Sequence, residues 1–178
     1  MYQEIIDFWF TEIEPVQWWE KDEVFDVLIE NRFASLHQQA KAGELFLWRE
    51  SALGSLAEII ILDQFSRNIY REKPESFMCD PLALALAQGA IAKGFDLELS
   101  QIERSFFYLP FMHSESRLIH KEALRFYESL GNPNTLEFEQ MHKTIIDRFG
   151  RYPHRNHILD RESTAEEIEF LKQPNSGF

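Results

Sequence analysis

Apolar residues recur at helical spacing along almost the whole chain, and this periodicity constrains the fold more than any other feature. The clearest example lies between Trp18 and Gly43, where the apolar positions are Val24, Phe25, Leu28, Ile29, Phe33 and Leu36. No stretch alternates apolar and polar residues as a half-buried strand does, and Gly and Pro fall mainly between the helical segments. The pattern predicts an all-α fold of antiparallel helix pairs joined by short turns, either a bundle or a helical solenoid.

Capping and turn residues predict where the helices begin and end. In chain order they are the Pro15 break, Gly43 and Gly94 as helix ends, Asp80 as a cap before Pro81, the Ser100–Glu103 capping box, Gly150 as a helix end, and Ser163 with Glu166 as the last cap. Pro110 interrupts residues 104–131, so we expect two helices there. No segment has the composition of a linker, and we expect one domain over residues 1–178.

Charge and composition exclude several classes of function. The net charge is −12 and the pI about 4.9, which disfavours binding to nucleic acid or to anionic membranes. The longest all-apolar run, Ile59–Leu62, is far too short to span a bilayer, and no basic signal segment opens the chain. The single cysteine, Cys79, fits a reducing compartment. We therefore expect a soluble, cytoplasmic protein; the oligomeric state is left open.

The first polar segment, "LDQFSRNIYR", lies in a strongly apolar helix. On a helical wheel Asp63, Gln64 and Arg67 lie opposite Leu62 and Phe65. Asp63 and Arg67 are spaced to form an ion pair. The apolar run just before them favours polar groups facing an interior crevice, and the alternative is a solvated surface pair.

The second polar segment, "YLPFMHSESRLIH", follows the Pro110 interruption. His113 and Glu115 are close enough in sequence to do acid–base work, because an imidazole titrates near neutral pH. The alternative is that His113 and Ser114 only satisfy the carbonyl groups that Pro110 frees.

The third segment inverts the charge of the chain. From Met141 to His157, four cations (Lys143, Arg148, Arg151, Arg155) face one anion (Asp147), so the local charge is 4 − 1 = +3. Guanidinium groups bind carboxylates and phosphates in a bidentate way. These arginines either hold an anionic small molecule or peptide carboxylate, or clamp Asp63, Glu115 or Asp147 within the fold. No metal-binding or cofactor-binding motif is present, so we expect neither.

Together these segments resemble one largely bacterial family, domain of unknown function 924. The resemblance is carried by "DFWF", "LAEIIILDQFSRNIYR", "DPLALALA", "FFYLPFMHSE", "RFGRYPHRN" and the closing "REST" and "EEIEFL". It implies a right-handed superhelix similar to tetratricopeptide repeats, or a compact helical array, and carries no established activity. The departures are Ser66 for Pro, Tyr152 for Phe and His120 for Gln, and the last makes position 120 a weaker site candidate. The residues that match the polar motifs, and are therefore the expected ligand-binding set, are Asp63, Gln64, Arg67, Asn68, His113, Ser114, Glu115, Arg148, Arg151, His154, Arg155 and Asn156.

Three functional hypotheses follow. The leading one is a binding protein with a groove for an anionic small molecule or peptide. The alternative is an enzyme acting on a small anionic substrate held by Arg151 and Arg155. Its candidate catalytic residues are His113, His154, Asp63 and Glu115. The third hypothesis is that the polar motifs are only a structural lock.

Overall fold

All regular structure in the computed structural model is helical. The structure describes residues 2–174 and 176–177, and no strand occurs among them. The all-α prediction is confirmed. Contacts divide the chain into two compact units, the first comprising residues 1–71 and 75–110 and the second residues 72–74 and 111–178. The single domain expected from the sequence stays a prediction.

The first unit is built around α1 and the helices that follow it. Its elements are α1 (Tyr2–Asp7), a π-helical turn (Phe8–Glu12), a 3₁₀ turn (Pro15–Trp18), α2 (Glu23–Lys41), a 3₁₀ turn (Phe46–Glu50), α3 (Ala52–Ile60), a second π-helical turn (Ile61–Phe65), α4 (Ser66–Ile69), α5 (Asp80–Ile91), a 3₁₀ turn (Phe95–Glu98) and α6 (Gln101–Met112), whose last two residues belong to the second unit. The core is aromatic, with ring centroids of Phe33 4.9 Å from Phe8 and 5.0 Å from Phe65. Because α3 and the π turn after it lie in this core, the residues 59–66 are all buried.

Helix α2 buries only some of its apolar residues. Asp22 caps the helix by accepting a hydrogen bond from the amide of Val24 at 2.8 Å, and Phe25, Ile29 and Phe33 are buried below it. Val24, although it fits the helical spacing, is 80% exposed. A helix packed on one side buries only one stripe, so the additional apolar residues lie in solvent.

Several predicted helix ends are confirmed. Ser100 and Glu103 form the reciprocal capping box, at 2.8 and 3.4 Å. Gly150 follows α8 with a φ of 72°, a left-handed conformation that glycine adopts without strain. The break after Pro110 also gives two helices, α6 and α7, although α6 continues to Met112.

Two predicted caps are wrong. Asp80 is the first residue of α5, whose N-cap is Cys79, and the Asp80 carboxylate binds Arg67. The last helix is capped by Thr164 with Glu167, one residue later than the predicted Ser163 and Glu166. The two patterns overlap in sequence, and packing of Glu167 against Arg151 selects the second.

The second unit contains a helical hairpin and a terminal helix. Its elements are α7 (Arg117–Leu130), α8 (Pro133–Phe149), a 3₁₀ turn (Pro153–Arg155) and α9 (Ala165–Phe170). Ile145, Ile146 and Tyr152 form a buried cluster, against which Phe149 and Phe170 pack. The tight turn between α7 and α8 makes the two helices antiparallel neighbours.

Candidate functional site

The first polar segment lies on the second π-helical turn of the first unit. All five residues of Ile61–Phe65 are buried, including Asp63 and Gln64. A π turn contains one residue more than an α turn and is often found at functional sites. The side-chain directions predicted for an ideal α-helix therefore do not apply to this segment.

Hydrogen bonds within this segment satisfy much of its polarity. The Gln64 side-chain amide donates to Asp63 Oδ2 at 2.6 Å. Arg67 Nη1 donates to the Asp63 carbonyl oxygen at 2.7 Å and lies 3.4 Å from its carboxylate, so the predicted i,i+4 pair is confirmed. These contacts fix the Arg67 guanidinium beside the π turn.

Two carboxylates from other helices complete the segment, and the sequence predicted neither contact. Asp80 accepts two hydrogen bonds from Arg67, at 3.0 and 3.1 Å. Asp26 of α2 accepts from the Asn68 amide at 2.8 Å and also binds Arg71. The segment thus ties α2 and α5 to the π turn, and an arrangement of this kind is expected to stabilise the fold.

In the second unit, a clamp closes on Glu115. Arg161 donates to both of its carboxylate oxygens, at 2.7 and 2.9 Å, and the Tyr152 amide donates to Oε1 at 2.7 Å. Burial acts to raise the pKa of Glu115, but these hydrogen bonds and the nearby Arg155 charge outweigh it and lower the pKa. Glu115 is therefore held as a carboxylate with both oxygens occupied. Arg161 carries no sequence signal that would have predicted its role.

The basic segment finds its counter-charges in α9. Arg151 donates to both oxygens of Glu167 at 2.7 Å, and its guanidinium lowers the pKa of that carboxyl to about 2. Arg148 donates to Glu166 at 2.8 Å. The local charge of +3 is thereby matched in space by acidic residues that are distant in sequence.

Arg155 is the buried member of the basic segment, with 6% of its surface exposed. Its Nη2 donates to the His113 carbonyl oxygen at 3.1 Å, and its guanidinium carbon lies 4.7 Å from the centre of the Tyr152 ring. Asn156 beside it accepts from Arg161 at 3.0 Å and donates to Ser163 at 3.0 Å. Glu115 is clamped, as one alternative expected, but the guanidinium that donates to its oxygens is that of Arg161, outside the basic segment, and the charge of Arg155 adds to it.

Histidines surround the ring of Tyr152. Its centroid lies 6.3 Å from His120, 5.7 Å from His142 and 5.5 Å from His154. His113 is close enough for its charge to lower the pKa of His142. Four of the six histidines in the sequence therefore lie close together in one cluster of this unit.

His120, which the sequence gave less weight, forms the most deeply buried polar pair of the cluster. Its Nδ1 lies 2.8 Å from Glu139 Oε1, and neither side chain is exposed. The other ring nitrogen faces the Ser114 carbonyl oxygen at 2.8 Å, and since a carbonyl only accepts, that nitrogen carries a proton. Burial raises the pKa of Glu139 and outweighs the hydrogen bond from His120, which acts to lower it. Glu139 was missed because its helix reads as an ordinary charged surface.

His142 is buried as a neutral base. Its Nδ1 donates to the Phe138 carbonyl oxygen at 2.7 Å, and 6% of the residue is exposed. Burial is the main cause that lowers its pKa to about 3, with the neighbouring histidines adding to it. Within residues 2–174 and 176–177, no group of three or more His, Cys, Asp or Glu side chains is arranged to hold a metal ion. Over the same residues, no helix combines the length and apolar character of a membrane span.

Comparison with known proteins places the chain in a family. The family described as "Bacterial protein of unknown function (DUF924)" matches residues 5–175. The chain belongs to this family. A solved structure titled "Structure of Protein of Unknown Function ATU0120 from Agrobacterium tumefaciens" is 41% identical, with a TM-score of 0.92 over 96% of each chain. No curated protein matches. The family resemblance seen in the motifs is thus confirmed, and the function has to be argued from the residues.

Proposed function

We propose that this DUF924 protein is a noncatalytic binding protein that docks a basic amphipathic segment of a partner protein on α2. The observation that carries the proposal is the exposed apolar face formed by Val24, Val27 and Leu28, which are 80%, 53% and 47% exposed. We retain the superhelix similar to tetratricopeptide repeats as part of this proposal, since such folds present helix faces to peptides.

The spacing of these three residues suits helix recognition. Positions 24, 27 and 28 are i, i+3 and i+4, so their side chains lie on one face of α2. Single apolar residues on a surface need no explanation, whereas a group on one helix face is typical of an interaction site. An amphipathic partner helix would place its own apolar residues between them.

The acidic residues around this face of α2 favour a basic partner segment. Glu20, Glu23 and Glu30 are exposed, and no ion pair to any of them occurs among the described residues. Glu23 and Glu30 flank Val27 by one helical turn on either side. A basic segment would complement these carboxylates, and the same charges would repel an acidic one. The proposed partner is therefore cationic, in contrast to the anionic ligand expected from the sequence.

The state of the polar motifs supports a noncatalytic role. A general base needs a carboxylate or imidazole that a substrate can reach. Glu115 has both oxygens occupied, and the His120–Glu139 pair is inaccessible to solvent. For the Asp63 segment of the first unit we propose a structural lock.

One observation favours a second candidate function. Arg155 donates to the His113 carbonyl oxygen and is close enough to Glu115 for its charge to lower the pKa of that carboxyl, so a cation, a carboxylate and a histidine residue are neighbours in the second unit. The second proposal is therefore a small anionic ligand or substrate at this cluster, with His154, Arg151 and Asn156 beside it.

A synthetic amphipathic peptide of leucine and lysine tests the first proposal. We expect it to bind the full chain in a fluorescence anisotropy titration, with affinity that falls as salt rises. Replacing both Val27 and Leu28 by Gln should weaken binding by at least about tenfold, because two apolar anchors are lost. Leu97, which is 73% exposed elsewhere in the first unit, supplies the control Leu97→Gln, which should bind like the unaltered protein.

The charge of the peptide separates the alternatives. A leucine–glutamate peptide of the same pattern should not bind. Equal binding of both peptides, or unchanged binding by the Val27→Gln/Leu28→Gln variant, would contradict docking on α2. Binding of small anions that is lost on Arg155→Met would instead support the second proposal.

A further inference from the structure

The first unit contains a small cleft between α3 and α5, and no residue of the three polar segments lines it. Its volume is about 110 Å³, and it is lined by Arg49, Ser55, Glu58, Ala85, Leu86, Gly89, Ala90 and Lys93. A single water needs roughly 15 Å³, and drug-sized sites begin at roughly 300 Å³. The cleft therefore has room for a molecule of a few heavy atoms.

An ion pair between the half-buried Arg49 and the buried Glu58 forms one wall. Glu58, with no exposed surface, accepts hydrogen bonds from Arg49 Nε and Nη2, both at 2.7 Å. The hydrogen bond to Glu58 is the main cause that raises the pKa of Arg49. Both carboxylate oxygens and one edge of the guanidinium are thus engaged. Among the described residues Nη1 of Arg49 has no acceptor, so it keeps its two N–H donors.

Lys93 adds a second cation at the rim. Its Nζ donates to the Arg49 carbonyl oxygen at 3.0 Å and lies 5.3 Å from the Phe95 ring centre. An ammonium group has three donors, and this single hydrogen bond leaves two for a ligand. With Arg49 and Lys93 against Glu58, the lining carries 2 − 1 = +1 charge in a chain of net charge −12.

The decisive group is the Ser55 hydroxyl. Ser55 is 4% exposed and lines the cleft, yet its Oγ has no hydrogen-bond partner within the described part of the chain. A buried hydroxyl without a partner is costly, and such groups occur where a ligand or water completes them. Opposite it, Ala85, Leu86 and Ala90 offer only apolar surface.

The geometry points to a binding site for a short aliphatic monocarboxylate in this cleft. One negative charge balances the lining, the carboxylate accepts from Ser55, Lys93 and the free edge of Arg49, and the short alkyl chain packs on α5. The small volume excludes long chains. Inorganic phosphate, which is partly dianionic at neutral pH and has no apolar part, fits this lining less well. This site is independent of the partner surface on α2.

Gly89 provides the sharpest test, because a Cβ built there meets no atom within 4 Å. Gly89→Gln therefore projects a side chain towards the cleft without a backbone clash. The matched control is Ala92→Gln, an exposed position of the same helix end that does not line the cleft. Ser55→Ala removes only the unpartnered hydroxyl and should leave the fold intact.

The experiment is a titration of the full chain with propionate, monitored by NMR shifts of backbone amides at constant ionic strength. We expect saturable binding, weakened about tenfold by Ser55→Ala and by more in Gly89→Gln, and unchanged in Ala92→Gln. Acetate and butyrate should also bind, while octanoate, 1-propanol and inorganic phosphate should bind much more weakly. The absence of saturation with any short carboxylate, equal affinity for phosphate, or full affinity in Gly89→Gln would overturn the assignment.

Discussion

Two buried histidines, whose pKa values burial lowers, should make the protein lose stability in mild acid. His142 in the second unit and His37 in the first are 6% and 1% exposed. Burial is the main cause that lowers their pKa values, to about 3 and about 4 respectively, from an ordinary 6.5. The unfolded chain therefore binds protons at these positions at a higher pH than the folded chain does. By linkage, the stability they contribute is present above pH 6.5 and is lost as the pH falls below it.

The size of the stability loss follows from the pKa of histidine in the unfolded chain. At pH 5 both histidines are still mostly neutral in the folded chain. In the unfolded chain they are protonated, because pH 5 lies 1.5 units below the ordinary histidine pKa of 6.5. At 1.36 kcal/mol per unit, each contributes a loss of about 2 kcal/mol between neutral pH and pH 5. The carboxyl groups whose pKa values are lowered, Glu12, Glu115 and Glu167, act only below about pH 4.5, outside this range.

One variant of each histidine isolates its contribution to the loss of stability in acid. In His142→Asn, the side-chain amide takes the place of Nδ1, which binds the Phe138 carbonyl oxygen. In His37→Gln, the side-chain amide takes the place of Nε2, which lies 2.7 Å from the Ser66 hydroxyl. Neither replacement titrates. Each variant should be destabilised at neutral pH, yet lose about 2 kcal/mol less than the unaltered protein on acidification to pH 5.

Urea unfolding at several pH values measures this difference. All four tryptophans belong to the first unit, so their fluorescence reports the His37 variant, and circular dichroism reports both. Parallel curves of stability against pH for a variant and the unaltered protein would refute the argument, because they would mean that burial does not keep that imidazole neutral.

Three further substitutions test the packing and the clamps. Gly54→Ala should cost about 3 kcal/mol or more in urea unfolding, because its Cβ would lie 2.2 Å from the Trp48 carbonyl oxygen, which cannot move aside. Arg67→Met should lower the free energy of unfolding by about 3 kcal/mol. The double variant Arg67→Met/Asp80→Asn should lose less than the sum of the two single variants, because the two residues form one ion pair. Additive losses would contradict the pairing. Glu115→Gln should cost about 2 kcal/mol at neutral pH, and the difference should disappear as the pH falls well below 4.5, where the native carboxyl is also protonated.

The helices were predictable because their signals are local. The capping box at Ser100 and the glycine after α8 are set by residues within one turn, and both are confirmed. Asp80 shows the limit of this reasoning. An Asp before a Pro has the local pattern of a cap, but a guanidinium 13 residues away binds it in the fold.

The site was only partly predictable, because its partners are distant in sequence. The basic segment was visible as a local excess of charge, yet the acids that match it lie in α9 and at Glu115. Arg161, Glu139 and Glu58 look like surface charges in the sequence, and only the packing buries or engages them. The exposed face of α2 was hidden for the opposite reason, since Val24 and Leu28 share the spacing of the core residues beside them.

The clamp on Glu115 also has a consequence for the order in which the chain folds during synthesis. Glu115 leaves the ribosome 46 residues before Arg161 does, an interval of about 2 to 9 s at usual translation rates. Until then Glu115, which lies just before α7, has no Arg161 to bind it, and Arg151 has no Glu167. The second unit therefore acquires its last stabilising contacts only when the final helix is made. A ribosome stalled before residue 161 would hold a nascent chain in which Glu115 has no guanidinium to bind it.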